Sequence, residues 1–200
     1  MKSVLVTGGT GFIGLNLIKQ IVKKYEVHVL VRENSSLHEL SKYNVKIYVY
    51  KKDIKSLDEY CEQNKIEGVF HLASLFLANH SLDDINGLVS SNIEFGVELL
   101  EASRHCKWFI NTGTFWQHYQ GDNYNPVNLY AATKEAFAAI AKYYYETTSM
   151  CFVTLKLSDT YGKNDPRKKI LNLFKEISEN KQELKMSPGE QILSISHIDD

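Results

Sequence analysis

A glycine-rich turn near the start of the chain limits the possible fold more than any other segment. Residues 4–6 form an apolar run, and the residues after it contain glycines in the spacing Gly8-x-x-Gly11-x-x-Gly14. An amphipathic run over residues 15–22 follows directly. A strand that turns into a helix over so few residues needs glycine where a side chain would block the turn or the helix packing. The segment therefore predicts a strand, a glycine turn, and a helix whose N-terminus accepts an anion such as a pyrophosphate.

Strand-like and helix-like segments alternate through the rest of the chain. The predicted strands are short and almost continuously apolar, which is typical of a parallel sheet covered on both faces. They span residues 2–6, 27–31, 45–50, 68–72, 108–111, 152–157 and 192–196. The predicted helices span residues 12–24, 56–64, 84–105, 127–147 and 167–178. We expect an α/β protein with a doubly wound parallel sheet of the Rossmann type.

Composition excludes several classes of protein. The 200 residues are 44% hydrophobic and 24% charged, and the net charge is −1. A charge so close to zero gives no electrostatic footprint for nucleic acid or for an anionic membrane, so neither is an expected partner. No apolar stretch is long enough to span a bilayer. The 3 cysteines lack metal-ligand spacing and no histidines are paired on a helix, so we predict no metal site. Reduced thiols indicate a cytoplasmic protein.

The start of one predicted helix contains a Tyr-x-x-x-Lys motif, Tyr130 and Lys134. Residues four apart on a helix share one face, which brings the ammonium close to the phenolic oxygen. A second match, Tyr48 with Lys52, lies in a predicted strand, where four residues span roughly 13 Å. A free tyrosine has a pKa of about 10, and a neighbouring cation lowers that pKa. Reaching a pKa of about 7 needs roughly 4 kcal/mol, much of which one close cation in a partly desolvated site can supply.

A threonine pair, Thr112 and Thr114, follows the fifth predicted strand, at the edge where open α/β sheets bind ligands. The Thr114 hydroxyl could hold a substrate oxygen while Tyr130 moves the proton. The alternative for both threonines is ordinary turn chemistry. We interpret Gln117 and His118, which follow, as part of a surface loop rather than of a substrate pocket.

The glycine turn, Thr114 and the Tyr130–Lys134 pair, in this order, resemble the extended short-chain dehydrogenase/reductase superfamily, in its nucleotide-sugar epimerase/dehydratase/reductase branch. The resemblance covers essentially the whole chain. It is carried further by residues 7–14, 71–74, Asn92, 157–162 and 197–200.

The resemblance implies roles for individual residues. Tyr130 would be the catalytic acid/base, Lys134 its pKa-lowering partner and a ribose contact, and Thr114 the holder of the substrate oxygen. The implied cofactor is NAD or NADP, the substrate a nucleotide-activated (deoxy)hexose, and the assembly a homodimer. The cofactor-binding residues would be Gly8, Gly11, Phe12, Ile13, Gly14, Arg32, Asp53, Ile54, Leu72, Ala73, Ser74, Asn92, Tyr130 and Lys134.

The end of the second predicted strand bears on the choice of dinucleotide. Arg32 can pair with a 2′-phosphate, with Ser35 or Ser36 adding hydrogen bonds, which favours NADP. Glu33 is the counter-argument, because an inward-facing acid there binds the ribose hydroxyls of NAD.

The reaction is only partly defined by the sequence. Phe115 and Trp116 stand where the 4,6-dehydratases carry an acidic pair, so the elimination of water lacks an evident acid and base. We therefore expect a reductase or an epimerase with hydride transfer at C4, and the motifs do not separate the two. A cofactor-binding protein without catalysis, or an inactive fragment, is the alternative. We expect residues 1–162 to be the NAD(P)-binding domain and 163–200 the start of a truncated substrate-binding region, because the motif at 197–200 lies well inside family members.

Overall fold

The predicted alternation of strands and helices is present in the computed structural model, which describes residues 1–167, 169–181, 183–185, 188, 190 and 192–200. The strands are β1 (Lys2–Thr7), β2 (Tyr25–Val31), β3 (Val45–Val49), β4 (Ile66–His71), β5 (Trp108–Thr114), β6 (Cys151–Leu157), β7 (Asp159–Tyr161) and β8 (Ile195–His197). The helices are α1 (Phe12–Ile21), α2 (Ile54–Gln63), α3 (Ile85–Val89), α4 (Phe95–Ala102), α5 (Leu129–Thr147) and α6 (Ile170–Asn180).

Six strands form one sheet in the order β3-β2-β1-β4-β5-β6. The pairs β1–β2, β1–β4, β2–β3 and β4–β5 are all parallel, so their carboxyl ends meet at one edge. This strand order is that of dinucleotide-binding folds, in which the order reverses beside β1. The predicted doubly wound Rossmann-type fold is thus confirmed.

Both faces of the sheet are buried, and β1 shows how its sequence does this. Val4 and Val6 belong to one hydrophobic cluster, whereas Leu5 belongs to the other. Successive side chains of a strand point to opposite faces, so three consecutive apolar residues pack into the hydrophobic clusters on both faces of the sheet. Helix α1 covers one core through Ile18 and helix α5 covers the other through Phe137.

The helix predicted over residues 84–105 is interrupted. Between α3 and α4 the backbone forms a π-helical turn, Ser90–Glu94, and α4 ends before Ser103. The apolar spacing predicts a uniform helix, but one wide turn hardly changes a pattern that is read over several turns.

The other boundaries differ by a few residues, for local reasons. Helix α5 begins at Leu129 rather than at 127, because the Asn128 side chain accepts the N–H of Ala131 at 3.0 Å and caps the helix. Helix α6 begins at Ile170, and Lys168 of the predicted helix lies outside the described residues.

The chain divides into two compact units, residues 1–156 and 157–200. From the sequence we predict the boundary between 162 and 163, whereas β7 pairs with β8 and belongs to the second unit. In the part of the chain that is described, we find no helix of the length and apolarity that crossing a membrane requires.

Candidate active site

The glycine turn after β1 has no room for side chains at two positions. Gly8 has a φ of +70°, and a Cβ there would lie 2.7 Å from the backbone nitrogen of Ala73. A Cβ on Gly14 would lie 2.2 Å from the Gly8 carbonyl oxygen, so the first turn of α1 packs directly on the glycine turn. Both glycines are needed because the obstacles are backbone atoms, which cannot rotate away.

Gly11 has a different role from the other two glycines. It is the N-cap of α1, it is exposed, and it provides no side-chain cap. The first turn of α1, which contains Phe12 and Ile13, has no acidic residue. An open helix N-terminus of this kind presents N–H groups and a partial positive charge to an anion.

The residues predicted to hold the adenosine end lie at the ends of neighbouring strands. Arg32 follows β2 directly and is exposed. Its backbone N–H donates to Ser35 Oγ at 3.0 Å. Asp53 is the N-cap of α2, where its carboxylate accepts the N–H of Ser56 at 3.1 Å. Ile54 begins α2 and is exposed. Arg32 is therefore available to a ligand, whereas one carboxylate oxygen of Asp53 already caps a helix.

A buried hydrogen-bond network joins β1 to the segment after β4. Thr7 Oγ1 lies 2.8 Å from His71 Nδ1 and accepts the N–H of Ala73 at 3.2 Å. Burial lowers the pKa of His71 to about 3. The ring is therefore neutral, and the tautomer sets the direction of its hydrogen bond with the Thr7 hydroxyl. The network holds Leu72, Ala73 and Ser74 beside Gly8, along the predicted path of the cofactor.

Asn92 lies in the π-helical turn and is buried, with 2% of its surface exposed. Its Oδ1 accepts the N–H of Leu75 at 2.8 Å, and its Nδ2 donates to the Leu75 carbonyl and to Thr133 Oγ1, each at 3.0 Å. The Thr133 hydroxyl in turn donates to the Tyr130 carbonyl at 2.7 Å. The amide of Asn92 is thus fully used inside the protein, and its contribution to a cofactor site is to hold the segment after β4 against α5.

Lys134 is a buried cation with no counter-ion among the residues that the structure describes. It is 2% exposed, and burial lowers its pKa to about 8. Within the described ranges no carboxylate pairs with its ammonium group. A buried charge without a partner is costly, so its presence calls for a functional reason.

Tyr130 lies one helical turn before Lys134 and is half-buried. Its ring packs edge to face on Phe76, with 5.0 Å between the ring centroids. Burial raises the pKa of Tyr130, and a hydrogen bond with the Ser74 side chain lowers it by less. The net direction is opposite to the one expected from Lys134, because desolvation of the phenol outweighs its hydrogen bond with Ser74.

Thr114 ends β5 and caps the short helical turn Phe115–Gln117. Its hydroxyl oxygen accepts the N–H of Trp116 at 3.3 Å, and its own N–H donates to Gln117 Oε1 at 2.8 Å. Gln117 is completely buried, so its interpretation as part of a surface loop is wrong. The signal that was missed is the capping box: a threonine followed three residues later by glutamine.

The turn that contains Thr114 is joined to the helix that carries Tyr130 through neighbouring residues. Backbone hydrogen bonds tie the turn after Thr114 to the approach of α5, because the N–H of Val127 donates to the Trp116 carbonyl at 2.9 Å. Phe76 contacts both Tyr130 and Trp116, the latter at 5.6 Å between ring centroids. An exposed aromatic surface, which the sequence analysis did not identify, therefore lies beside the tyrosine.

Comparison with protein families matches residues 4–200 to the NAD dependent epimerase/dehydratase family. The chain belongs to this family. Its membership confirms the resemblance that the motifs indicate, and the family description specifies NAD.

Curated relatives extend further than this chain. A CDP-abequose synthase of Yersinia pseudotuberculosis is 29% identical over 98% of this chain and 69% of its own length. A CDP-abequose synthase of Salmonella muenchen is 26% identical over 100% of this chain and 67% of its own length. A dTDP-glucose 4,6-dehydratase of Haemophilus influenzae is 25% identical over 87% of this chain and 60% of its own length.

Solved structures of epimerases share the fold. A UDP-glucose 4-epimerase of Thermotoga maritima, in complex with UDP-glucose, gives a TM-score of 0.85 at 23% identity over 98% of this chain and 70% of its own. A UDP-glucuronic acid 4-epimerase of Bacillus cereus, in complex with UDP-glucuronic acid and NAD, gives a TM-score of 0.81 at 22% identity. The match covers 98% of this chain and 69% of that one. At these identities the likeness concerns the fold alone.

Proposed function

We propose that this chain forms the dinucleotide-binding and proton-transfer part of an NAD(P)-dependent oxidoreductase or epimerase. Its substrate is a nucleotide-activated hexose, and the hydride moves at C4 of the sugar. The observation that carries the proposal is Lys134, a buried cation one helical turn from Tyr130 at the ligand-binding edge of a Rossmann-type sheet. No carboxylate of the described part of the chain pairs with it.

The residues present fit a dinucleotide. The uncapped N-terminus of α1 suits a pyrophosphate, and Gly11 allows the backbone to approach it closely, while Gly8 and Gly14 allow the tight turn and the packing of α1 on it. Lys134 suits the ribose hydroxyls, which would supply polar partners to its ammonium group. When bound, the nicotinamide supplies the carbon that gives or accepts the hydride.

The protein's own groups handle the proton. The Tyr130 phenol donates its proton to the sugar oxygen, or takes it from a hydroxyl. The Lys134 ammonium stabilises the phenolate that forms. Thr114 donates its hydroxyl proton to the same sugar oxygen and holds it in place. The oxygen of Thr114 accepts a backbone N–H, which leaves the hydroxyl proton available.

The surroundings of Tyr130 favour a deoxysugar. Phe76 and Trp116 present aromatic surface beside the tyrosine, and Phe76 is half exposed. Such a surface packs well against carbon that bears no hydroxyl and would leave a hydroxyl without a partner. The aromatic pair Phe115 and Trp116 also leaves this turn without the carboxylates that a dehydratase needs.

The choice of dinucleotide stays a prediction in favour of NADP. Arg32 is exposed and free to approach a 2′-phosphate, and Ser35 lies next to its backbone. Titration of the protein with NADP and with NAD decides the matter: tighter binding of NAD refutes the preference. An Arg32→Ala variant should weaken NADP selectively.

The homodimer is likewise a proposal. Ala136, Ala139, Ile140 and Tyr143 are all exposed on α5, as a helix that packs on a second copy requires. Light scattering on the purified protein gives the mass directly, and a monomer at high concentration would contradict the proposal.

The experiment that tests the function mixes the protein with NADPH or NADH and CDP- or UDP-linked 4-keto sugars. A parallel set contains NADP⁺ or NAD⁺ and the matching 4-hydroxy sugars, because only these have a configuration at C4 that can be inverted. Net oxidation of the cofactor identifies a reductase. For an epimerase, the nucleotide-linked sugar is isomerised with no net change in the cofactor. Tyr130→Phe should abolish either activity while the cofactor binds with unchanged affinity, and retained turnover in that variant refutes the mechanism. Cofactor binding without turnover of any sugar favours the non-catalytic alternative.

A further inference from the structure

A polar bridge links the turn that contains Thr114 to helix α5. Gln117 is completely buried, and its Oε1 accepts the Thr114 N–H at 2.8 Å. Its Nε2 donates to the carboxylate of Glu135. A capping box needs only the first of these bonds, so the second is an addition that fastens the turn to the helix.

The space for this bridge is reserved by a glycine. A Cβ on Gly113 would lie 2.7 Å from Gln117 Oε1. A buried amide is costly unless both of its ends are bonded, and here Thr114 and Glu135 satisfy one end each. The amide therefore has one favourable orientation, with its oxygen toward Thr114.

Glu135 follows Lys134 directly and lies on the helix that carries Tyr130. The bridge thus connects the backbone of Thr114 to the same rigid element that presents the proton donor. Thr114 itself makes no direct hydrogen bond with α5 in the described part of the chain. We infer that Gln117 and Glu135 are positioning residues that hold the Thr114 hydroxyl in register with Tyr130.

The inference rests on the proposed function, and it is tested by variants that move the carboxylate from position 135 to position 117. Gln117→Glu places a second carboxylate against Glu135 and removes the donor. Glu135→Gln keeps an acceptor for Gln117. The double variant Gln117→Glu with Glu135→Gln rebuilds the bridge in reverse, because the new carboxylate accepts from Thr114 and from the new amide.

We expect Gln117→Glu to lower kcat about ten- to a hundredfold at about pH 8, because it displaces Thr114 from its position beside the substrate oxygen. The affinity for the dinucleotide should stay the same. Two adjacent carboxylates readily share a proton, so its activity relative to the wild type should recover as the pH falls to about 6. Glu135→Gln and the double variant should stay within about threefold of the wild type. A role in folding alone would show neither the pH dependence nor the rescue.

Matched controls make the same chemical changes at exposed positions: Gln120→Glu in the following turn and Glu146→Gln near the end of α5. The inference is overturned if Gln117→Glu behaves like Gln120→Glu, or if the double variant is no more active than Gln117→Glu.

A measurement on the ligand-free chain separates the inference from the proposed function. Glu135→Ala removes the anchor of Gln117, so hydrogen exchange of the Thr114 amide should become about tenfold faster. Unchanged exchange overturns the inference even if the enzyme is active. A wild-type protein that turns over no sugar refutes the proposed function, while the exchange experiment still decides the role of the bridge. The exchange experiment also tests the inference if Gln117→Glu fails to fold.

Discussion

Replacing Lys134 by methionine should make the ligand-free protein more stable. Lys134 is 2% exposed, and burial lowers its pKa from 10.5 to about 8. The folded state therefore holds this proton less tightly than the unfolded state does. Methionine has a similar length and no charge, so it removes the cost and keeps the packing of the side chain.

The size of the effect follows from the two pKa values. The interval from 10.5 to about 8, at 1.36 kcal/mol per pKa unit, amounts to about 3 kcal/mol. Below about pH 8 both states are protonated and the wild type bears the whole cost. Between about pH 8 and 10.5 the unfolded state holds more protons, so the stability of the wild type rises with pH and the advantage of the variant shrinks.

Urea unfolding at several pH values from 6 to 9.5 measures both quantities. We expect Lys134→Met to raise the free energy of unfolding by about 3 kcal/mol at pH 7, with a smaller difference at pH 9.5. Lys142→Met is the matched control: its ammonium is exposed on the same helix, so it should change stability by at most about 0.5 kcal/mol. The variant should also lose enzymatic activity. A variant that is less stable than the wild type, or a difference that does not depend on pH, would refute the reasoning.

Two further predictions follow from the glycine turn and from the thiols. Gly14→Ala puts a methyl group 2.2 Å from the Gly8 carbonyl oxygen, so the turn must shift, and dinucleotide affinity measured by calorimetry should fall at least about tenfold; binding at wild-type strength would contradict this. Burial raises the pKa of Cys61 and of Cys106 to about 12, whereas Cys151 is exposed. A thiol reagent should therefore label Cys151 rapidly in the folded protein and the other two only after denaturation, and rapid labelling of all three would contradict the buried positions.

The local parts of the fold were predictable because each depends on neighbouring residues. The steric demands at Gly8 and Gly14 arise from a turn of a few residues, and the alternation of Val4, Leu5 and Val6 already implies two buried faces. That Tyr130 and Lys134 lie one turn apart on α5 follows in the same way from the period of one helix.

The features that escaped prediction depend on residues far away in sequence or on solvent exposure. Gln117 can be buried because its amide N–H donates to Glu135, which lies on a helix later in the sequence. The raised pKa of Tyr130 reflects how much water the fold removes from the phenol, which residue identities alone do not specify. Phe76 contacts Tyr130 from a distant part of the sequence, and no pattern in the loop that contains Phe76 predicts this contact.

The wide turn Ser90–Glu94 holds one residue more than an α-helical turn would. Because the turn itself takes up that extra residue, deleting one residue there would restore ordinary α-helical geometry and leave α3 close to its present rotational register with α4. Leu88 would stay in the core, whereas Asn92 would lose its place between Leu75 and Thr133. We therefore expect such a deletion to break the connection between two segments of the site while the packing of the helix survives.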